Sequence, residues 1–263
     1  MTKGSENRNI SAHKNLNDIG FPHRIINLIV LERVGSCLTE MRNIDSNEPR
    51  VLDVGCGTGY LLKKMLNRDW DAWGVDLYPR GAATGERLSS RVIVGSIQDV
   101  PSEPFQIITA VEVLEHVEDY MKLLRSMMSL LSSNGFLIIT VPNKWEFQTT
   151  YSPDGAIEPM YGHLWQFDHK SLESDLRYFS KEIYIEQIYS ENLDRRLLRF
   201  TRLLPSVAVI KLSRLLVTYR NDGGWLLGVI KREKTLSDTV GYGTLPKPSA
   251  NYYKNDPYFT KEI

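Results

Sequence analysis

The chain has 263 residues, of which 42% are hydrophobic and 24% charged, a composition typical of a globular protein with a substantial core. Its 32 basic and 32 acidic side chains give a formal net charge of zero, so the whole molecule offers no electrostatic basis for binding nucleic acid. The two cysteines suggest no disulfide framework, and there is no apolar run of about 18 residues for a transmembrane helix, so we expect a cytoplasmic protein.

Helix and strand signals alternate through the first half of the chain. A polar segment, residues 1–20, predicts a loose N-terminus, and apolar residues then recur at helical spacing over residues 21–41. The predicted strands are RVLDV (50–54), DAWGVD (71–76), RVIVG (91–95), FQIITAV (105–111) and GFLIITVP (135–142), with helices at 60–68 and 119–131. Such alternation with apolar middle strands predicts a parallel sheet with helices on both faces.

The pattern changes after Pro142. In order, the sequence predicts a loop-rich stretch (143–169), a helix around 170–178, a strand at 181–190 and a last strand at 223–233. An insertion, residues 192–220, separates the last two strands. The tail, residues 234–263, is rich in Pro, Tyr, Asn and Lys and predicts no regular structure.

The stretch VLDVGCGTG runs a strand into three glycines, Gly55, Gly57 and Gly59, and then into a helix. Glycine permits positive φ and lets a ligand approach the backbone closely. Dinucleotide sites have the spacing G-x-G-x-x-G, whereas the spacing here is G-x-G-x-G. Asp53, two residues before the first glycine, would repel a pyrophosphate but can hold a cationic ligand.

A second acid, Asp76, ends the second predicted strand. An acid at this point can accept hydrogen bonds from both ribose hydroxyls of a ligand. A ligand with a ribose, no phosphate and a cationic amino-acid part is S-adenosylmethionine.

The motifs VLDVGCGTG, GVD, VGSIQDVP, VEVLEHV and NGFLIITVPN follow one another along the chain. On these motifs, the sequence resembles class I S-adenosylmethionine-dependent methyltransferases over about residues 45–180 and 223–233. The resemblance implies a Rossmann-like sheet of seven strands, mostly parallel with the last antiparallel, and helices on both faces. It also implies one methyltransferase domain at 21–233.

The resemblance further implies which residues bind the cofactor. Asp53 and the three glycines would line its methionine part, and Asp76 would bind the ribose hydroxyls. Leu77 would lie against the adenine, while Val111 and Glu112, at the end of the fourth strand, would face the sulfonium.

One position departs from the family pattern. The family often has an acid after the glycine that follows the third strand, and this acid bonds the adenine amine. In this chain Ser96 stands there, beside Ile97. Backbone groups, or Gln98 and Asp99, would bind the adenine amine instead. In the alternative interpretation, Asp99 is a solvated loop acid.

Two of the five histidines fall where the methyl group should point. His116 follows the fourth strand directly, and His163 lies in the loop after the fifth strand, at the same sheet edge. Because a hydroxyl acceptor must lose its proton, we take both as catalytic candidates. A purely structural, loop-anchoring role is the alternative for His163.

The sequence EVLEH also suggests a divalent metal site. Glu112, Glu115 and His116 would share one face of a helical turn, and His163 would add a second imidazole. Similar E-x-x-E-H motifs occur in ubiquinone-pathway catechol O-methyltransferases and in small-RNA 3′-end ribose methyltransferases. In the metal-free alternative, Glu112 orients the cofactor while Glu115 and His116 stabilise the start of the next helix.

The insertion at 192–220 is basic. Between residues 195 and 220 it holds seven basic residues and no acid, interleaved with Leu and Val. It predicts a basic amphipathic helical pair that lies on a membrane surface, covers an apolar acceptor pocket, or packs on the domain or in a dimer contact. Aromatic residues of the loop after strand five, including Trp165 and Phe167, would line this pocket or belong to the core.

From these patterns we expect a methyltransferase that acts on a small or lipid-linked acceptor, at oxygen, with S-adenosylmethionine as its cofactor. Two alternatives stay open: an RNA ribose methyltransferase, and a cofactor-binding protein without transferase activity. A peripheral membrane contact would be made through residues 192–220.

Overall fold

The computed structural model describes residues 21–44, 48–80, 86–143, 163–188, 224–233 and 244–252, together with Ala208, Ile210, Lys211 and Arg214. The N-terminal segment 1–20, the aromatic loop up to residue 162 and most of the insertion and tail therefore lie outside the described residues, and the predictions made for them stay predictions. No helix in the described part of the chain is long and apolar enough to cross a membrane.

The helices are α1 (Phe21–Ile44), α2 (Tyr60–Leu66), α3 (Glu86–Ser89), α4 (Tyr120–Leu130) and α5 (His169–Arg177). The strands are β1 (Arg50–Val54), β2 (Asp71–Asp76), β3 (Val92–Val94), β4 (Phe105–Val111), β5 (Leu131–Pro142), β6 (Trp165–Gln166), β7 (Ile183–Ile188), β8 (Trp225–Lys231) and β9 (Asn251–Tyr252). Side-chain caps begin two of the helices, because Asp119 accepts the Lys122 N–H before α4 and Asp168 accepts the Ser171 N–H before α5.

Seven strands form one sheet in the order β3-β2-β1-β4-β5-β8-β7. β8 runs antiparallel to both neighbours, and the other described pairs of this sheet are parallel. This confirms the predicted sheet with an antiparallel last strand. The strand order reverses between β1 and β4, and ligands of open α/β sheets bind in the crevice at such a point.

Helices cover both faces of the sheet, as predicted. Alternate residues of each central strand point to opposite sides: Val51 and Ile107 join the core under α1 and α2, whereas Leu52 and Ile108 join the core under α4 and α5. All four side chains are fully buried. The doubly covered sheet explains why these strands read as continuous apolar runs.

The structure differs from the sequence-based expectation at several elements. β5 begins at Leu131 rather than at residue 135, because Leu131 pairs with Phe105 and the register then shifts before Phe136 pairs with Ile107. The four-residue helix α3 was not predicted. A two-residue strand, β9, lies in the tail for which no regular structure was expected, and it pairs with β6.

Described residues of the insertion lie against the domain. Ile210 is buried in the same apolar cluster as α1. Arg214 forms ion pairs with Glu32 of α1, at 3.0 Å, and with Glu186 of β7, at 3.2 Å. At these two positions the insertion therefore packs on the domain, which was one of its three predicted roles.

Candidate functional site

Three glycines with positive φ form the turn between β1 and α2. The φ values are 70° at Gly55, 51° at Gly57 and 74° at Gly59, a region that glycine enters readily. A Cβ atom added at Gly55 would lie 2.6 Å from Val113 Cγ2, in the segment after β4. The glycine turn and the end of β4 are therefore in direct contact.

Asp76 joins this turn to the end of β2. Its Oδ2 accepts the Gly57 N–H at 2.8 Å, and its Oδ1 accepts the Tyr78 N–H at 2.7 Å. A carboxylate has about four lone-pair sites, so each oxygen can accept one more hydrogen bond, as a ribose diol requires. Beside it, Leu77 and Val94 are 59% and 70% exposed, an unusual level for large apolar residues, and they offer an apolar surface for a flat base.

The residues after β3 form a capped 3-10 turn. Both the N–H and the hydroxyl of Ser96 donate to Asp99 Oδ2, at 2.7 and 2.8 Å. These hydrogen bonds hold the pKa of Asp99 below its usual range. Asp99 thus stabilises the turn, while Ile97 is buried against the core under α4.

Asp53 is buried next to the glycine turn. The Thr109 hydroxyl donates to Asp53 Oδ1 at 2.7 Å. Burial raises the pKa of Asp53 to about 7, against the effect of that hydrogen bond, and the charge of Asp76 raises it further. A cationic ligand at this point would favour the ionised carboxylate.

Glu112 follows Val111 at the end of β4 and has a positive φ of 57°. Its Oε1 accepts the Thr140 hydroxyl at 3.2 Å, and its Oε2 accepts the Trp225 indole N–H at 2.7 Å. Burial raises the pKa of Glu112 to about 7, although both hydrogen bonds oppose the shift. Sequence reasoning missed Trp225, because its contact depends on the pairing of β8 with β5.

The structure brings together three of the four predicted metal-site residues. The ligand atoms of Glu115, His116 and His163 all lie within 4.8 Å of one another. The two imidazole rings meet edge to face, with 4.6 Å between their centroids. We call these three residues the acid–imidazole cluster.

Glu112 is not part of this cluster, contrary to the expected shared helical face. Its left-handed backbone precedes a 3-10 turn, Leu114–His116, so the helical spacing that was assumed for the motif is absent. Nor does Glu115 cap the next helix, since Asp119 occupies that position.

The cluster contains a buried carboxylate and a buried imidazole. Neither carboxylate oxygen of Glu115 makes a hydrogen bond within the described residues, and burial, followed by the charge of Glu112, raises its pKa well above the usual range. Burial, together with the nearby His116, lowers the pKa of His163 to about 4. A buried acid without hydrogen bonds fits a site for a cation, and one carboxylate with two imidazoles suits a divalent transition ion.

Comparison with known proteins places these features in a family. Residues 23–179, more than half of the chain, match the model of a family described as a methyltransferase domain. Among curated proteins, the chain is similar to the ubiquinone biosynthesis O-methyltransferases of Xanthomonas campestris pv. campestris (strain B100), with 36% identity over 104 residues, and of Bordetella avium (strain 197N), with 30% identity over 104 residues. The matches cover 36% of this chain and 44% and 43% of those proteins, so the chain spans less than half the length of these relatives.

Solved structures show the same fold. The plantazolicin methyltransferase BamL, in complex with a triazolic desmethylPZN analog and SAH, has a TM-score of 0.57 at 16% identity, over 80% of this chain and 86% of that one. The plantazolicin methyltransferase BpumL, with a pentazolic analog and SAH, has a TM-score of 0.53 at 15% identity, with the same coverage. The chain therefore belongs to the methyltransferase domain family, and its fold is that of class I S-adenosylmethionine-dependent methyltransferases.

Proposed function

We propose that this chain transfers the methyl group of S-adenosylmethionine to a hydroxyl oxygen of a small or lipid-linked acceptor. One observation carries the proposal: the acid–imidazole cluster lies at the end of β4, and Val113 of the same segment touches the glycine turn at Gly55. A group that can take up a proton thus stands beside the site that suits the cofactor. The names of the curated relatives, which specify O-methylation, support the same chemistry.

The cofactor supplies an activated methyl group on a sulfonium, and the protein supplies binding and orientation. Asp53 would face the cationic amino-acid part, where the ligand charge would restore its carboxylate. The carboxylate of Asp76, held by two backbone N–H groups, would accept the ribose hydroxyls. Leu77 and Val94 would cover the adenine, and Glu112 would be held at the sulfonium side by Thr140 and Trp225.

The acceptor oxygen attacks the methyl carbon in line while the carbon–sulfur bond breaks. As the new bond forms, the hydroxyl proton must leave. The exposed imidazole of His116 would take this proton, and His163, which burial keeps neutral near pH 7, adds no competing positive charge. The buried acids would then face a neutral thioether in place of the positive sulfonium.

In a second version of the mechanism, the cluster would hold a divalent ion through Glu115, His116 and His163 instead of using His116 as the proton acceptor, and such an ion would lower the pKa of a bound hydroxyl. The orphaned Glu115 carboxylate favours this version. Activity that survives complete chelation would instead assign the three residues to acid–base and structural roles.

The test incubates the purified chain and methyl-labelled cofactor with a phenol, a catechol, a catechol carrying an isoprenoid tail, and a short RNA. Label on the oxygen of the phenolic compounds is the expected result, and a preference for the tailed catechol would support a lipid-linked acceptor. Label in RNA alone would favour the ribose methyltransferase, and cofactor binding without any product would favour a binding protein.

Variants of the cluster provide the matched comparison. His116→Gln, which removes the proposed proton acceptor, should lower turnover by about 100-fold or more, the scale of acid–base catalysis, and Glu115→Gln should lower it as well. The control is His169→Gln, because His169 is an exposed histidine at the start of α5, outside the cluster. Equal turnover in all three variants would contradict the role of the cluster.

A further inference from the structure

We propose that a strap near the C-terminus, residues 244–252, positions His163 for methyl transfer, and that Tyr120 and Asp175 are the positioning residues that hold this strap. The inference rests on the proposed function of the acid–imidazole cluster. It adds a structural cause for the placement of His163, in residues that neither the motifs nor the family match single out.

The segment that carries His163 is attached to the cluster on one side. The N–H of Leu164, the next residue, donates to the backbone oxygen of Glu115 at 2.6 Å. The indole N–H of Trp165 donates to the backbone oxygen of Val117 at 2.9 Å. These bonds place His163 beside Glu115 and His116.

The strap is attached to the same segment on the other side. β9 pairs antiparallel with β6, so that Trp165 lies opposite Tyr252 and Gln166 opposite Asn251. One further residue along, Phe167 forms an isolated bridge with Asn143. The strand β6 is thus held between the turn of the cluster and the strap.

A buried polar pair fixes where the strap lies. Asp175 of α5 accepts the Ser249 N–H on Oδ1, at 2.9 Å, and the Tyr120 hydroxyl on Oδ2, at 2.5 Å. The Tyr120 oxygen in turn accepts the Ala250 N–H at 3.3 Å. Tyr120 is completely buried and Asp175 is 2% exposed, so these hydrogen bonds are shielded from water.

The same tyrosine contacts the segment that carries His163. The Tyr120 ring packs edge-on against Trp165 and Phe167, with centroid distances of 5.0 and 5.1 Å. A phenylalanine would provide these apolar contacts as well. Burying a carboxylate without hydrogen-bond partners is unfavourable. The Tyr120 hydroxyl and the Asp175 carboxylate therefore specify the position of the strap rather than add to the apolar core.

The test compares Tyr120→Phe and Asp175→Asn with Ser174→Ala in the full-length chain. Tyr120→Phe keeps both ring contacts and removes only the hydroxyl. Ser174→Ala removes the exposed hydrogen bond between the Ser249 and Ser174 hydroxyls, at 3.1 Å, and leaves the Ser249 side chain and the N–H that Asp175 accepts in place. It is therefore the matched control.

Three measurements separate positioning from a general loss of structure. Hydrogen exchange at the Leu164 N–H should become about tenfold faster or more in Tyr120→Phe and Asp175→Asn, since local opening exposes it. Turnover with the best acceptor of the panel should fall about tenfold, whereas the Kd for S-adenosylhomocysteine should change less than about twofold, because the glycine turn is not touched. Ser174→Ala should behave as the parent chain does in all three.

Unchanged exchange at Leu164 in Tyr120→Phe would overturn the inference, and so would faster exchange with unchanged turnover. An equal effect in Ser174→Ala would do the same. If Asp175→Asn fails to fold, Tyr120→Phe decides alone. Absence of methyl transfer by the parent chain would reject the proposed function, while the exchange rate at Leu164 would still show whether the pair holds the segment.

Discussion

Replacing Gly55 by alanine should destabilise the protein by about 2–5 kcal/mol, through two separable effects. The residue has a φ of 70°, and a left-handed backbone costs a residue with a Cβ about 1–2 kcal/mol. The new methyl group would also lie 2.6 Å from Val113 Cγ2, and overpacking of this kind costs about 1–3 kcal/mol.

Two further variants separate these effects. At Gly57, φ is 51° but the nearest atom to an added Cβ is 3.9 Å away, so Gly57→Ala should lose only the backbone part, about 1–2 kcal/mol. Val113→Ala, combined with Gly55→Ala, should remove the clash and recover about 1–3 kcal/mol relative to additivity.

The assay is thermal and urea unfolding in the absence of cofactor. The parent, Gly55→Ala, Val113→Ala and the double variant form a double-mutant cycle, and Gly57→Ala is measured beside it. At about 2–4 °C per kcal/mol, Gly55→Ala should lower the Tm by roughly 4–20 °C. Equal losses for Gly55→Ala and Gly57→Ala, or additivity of the Gly55 and Val113 changes, would refute the contact between the glycine turn and the end of β4.

Three other predictions each concern the contacts of one side chain. The pKa of Asp53 in the folded protein is raised to about 7, above an ordinary value of about 3.9, so this group lowers the free energy of unfolding as pH rises from about 4 to about 7. Asp53→Asn should therefore reduce the difference between the free energies of unfolding measured with urea at pH 5 and pH 8. An unchanged difference would contradict the raised pKa of Asp53. Trp225→Phe removes an indole donor from Glu112 and should cost about 1–3 kcal/mol in thermal unfolding, and a neutral result would argue against that bond. Arg214→Met should cost about 1 kcal/mol at low salt and less near 1 M salt, since its ion pairs are partly exposed, whereas a loss independent of salt would point to packing.

The main sheet was predictable because its central strands are buried on both faces. Strands such as β1 and β4 are apolar runs bounded by turn residues, so their limits and order along the chain could be read directly. β6 and β9 could not be predicted, because a strand of two residues is too short to show an alternation of apolar and polar side chains. They pair with each other across 86 positions of the chain, and residues distant in sequence, Tyr120 and Asp175, contact the segment that carries β9.

The geometry of the glycine turn was more predictable than that of the segment after β4. The three glycines and Asp76 form a local turn, and their spacing along the chain is enough to predict it. The helical spacing assumed for Glu112, Glu115 and His116 is absent, because the chain forms a left-handed residue and a 3-10 turn there. The bond from Trp225 to Glu112 joins residues 113 positions apart and left no signal in either local sequence.

The position of β8 in the sheet also bears on how the chain folds during synthesis. β8 is made after β7, yet it lies between β5 and β7, so β7 has no neighbour in the sheet until β8 emerges. Roughly 90 residues separate the ends of β5 and β8, which corresponds to roughly 5–20 s of translation. During that interval the apolar β5 is an open edge strand that can pair with another chain. We therefore expect that nascent chains that stop between these strands need protection by chaperones. We also expect that mutations that weaken β8 have a larger effect on the yield of folded protein than on the stability of the protein that does fold.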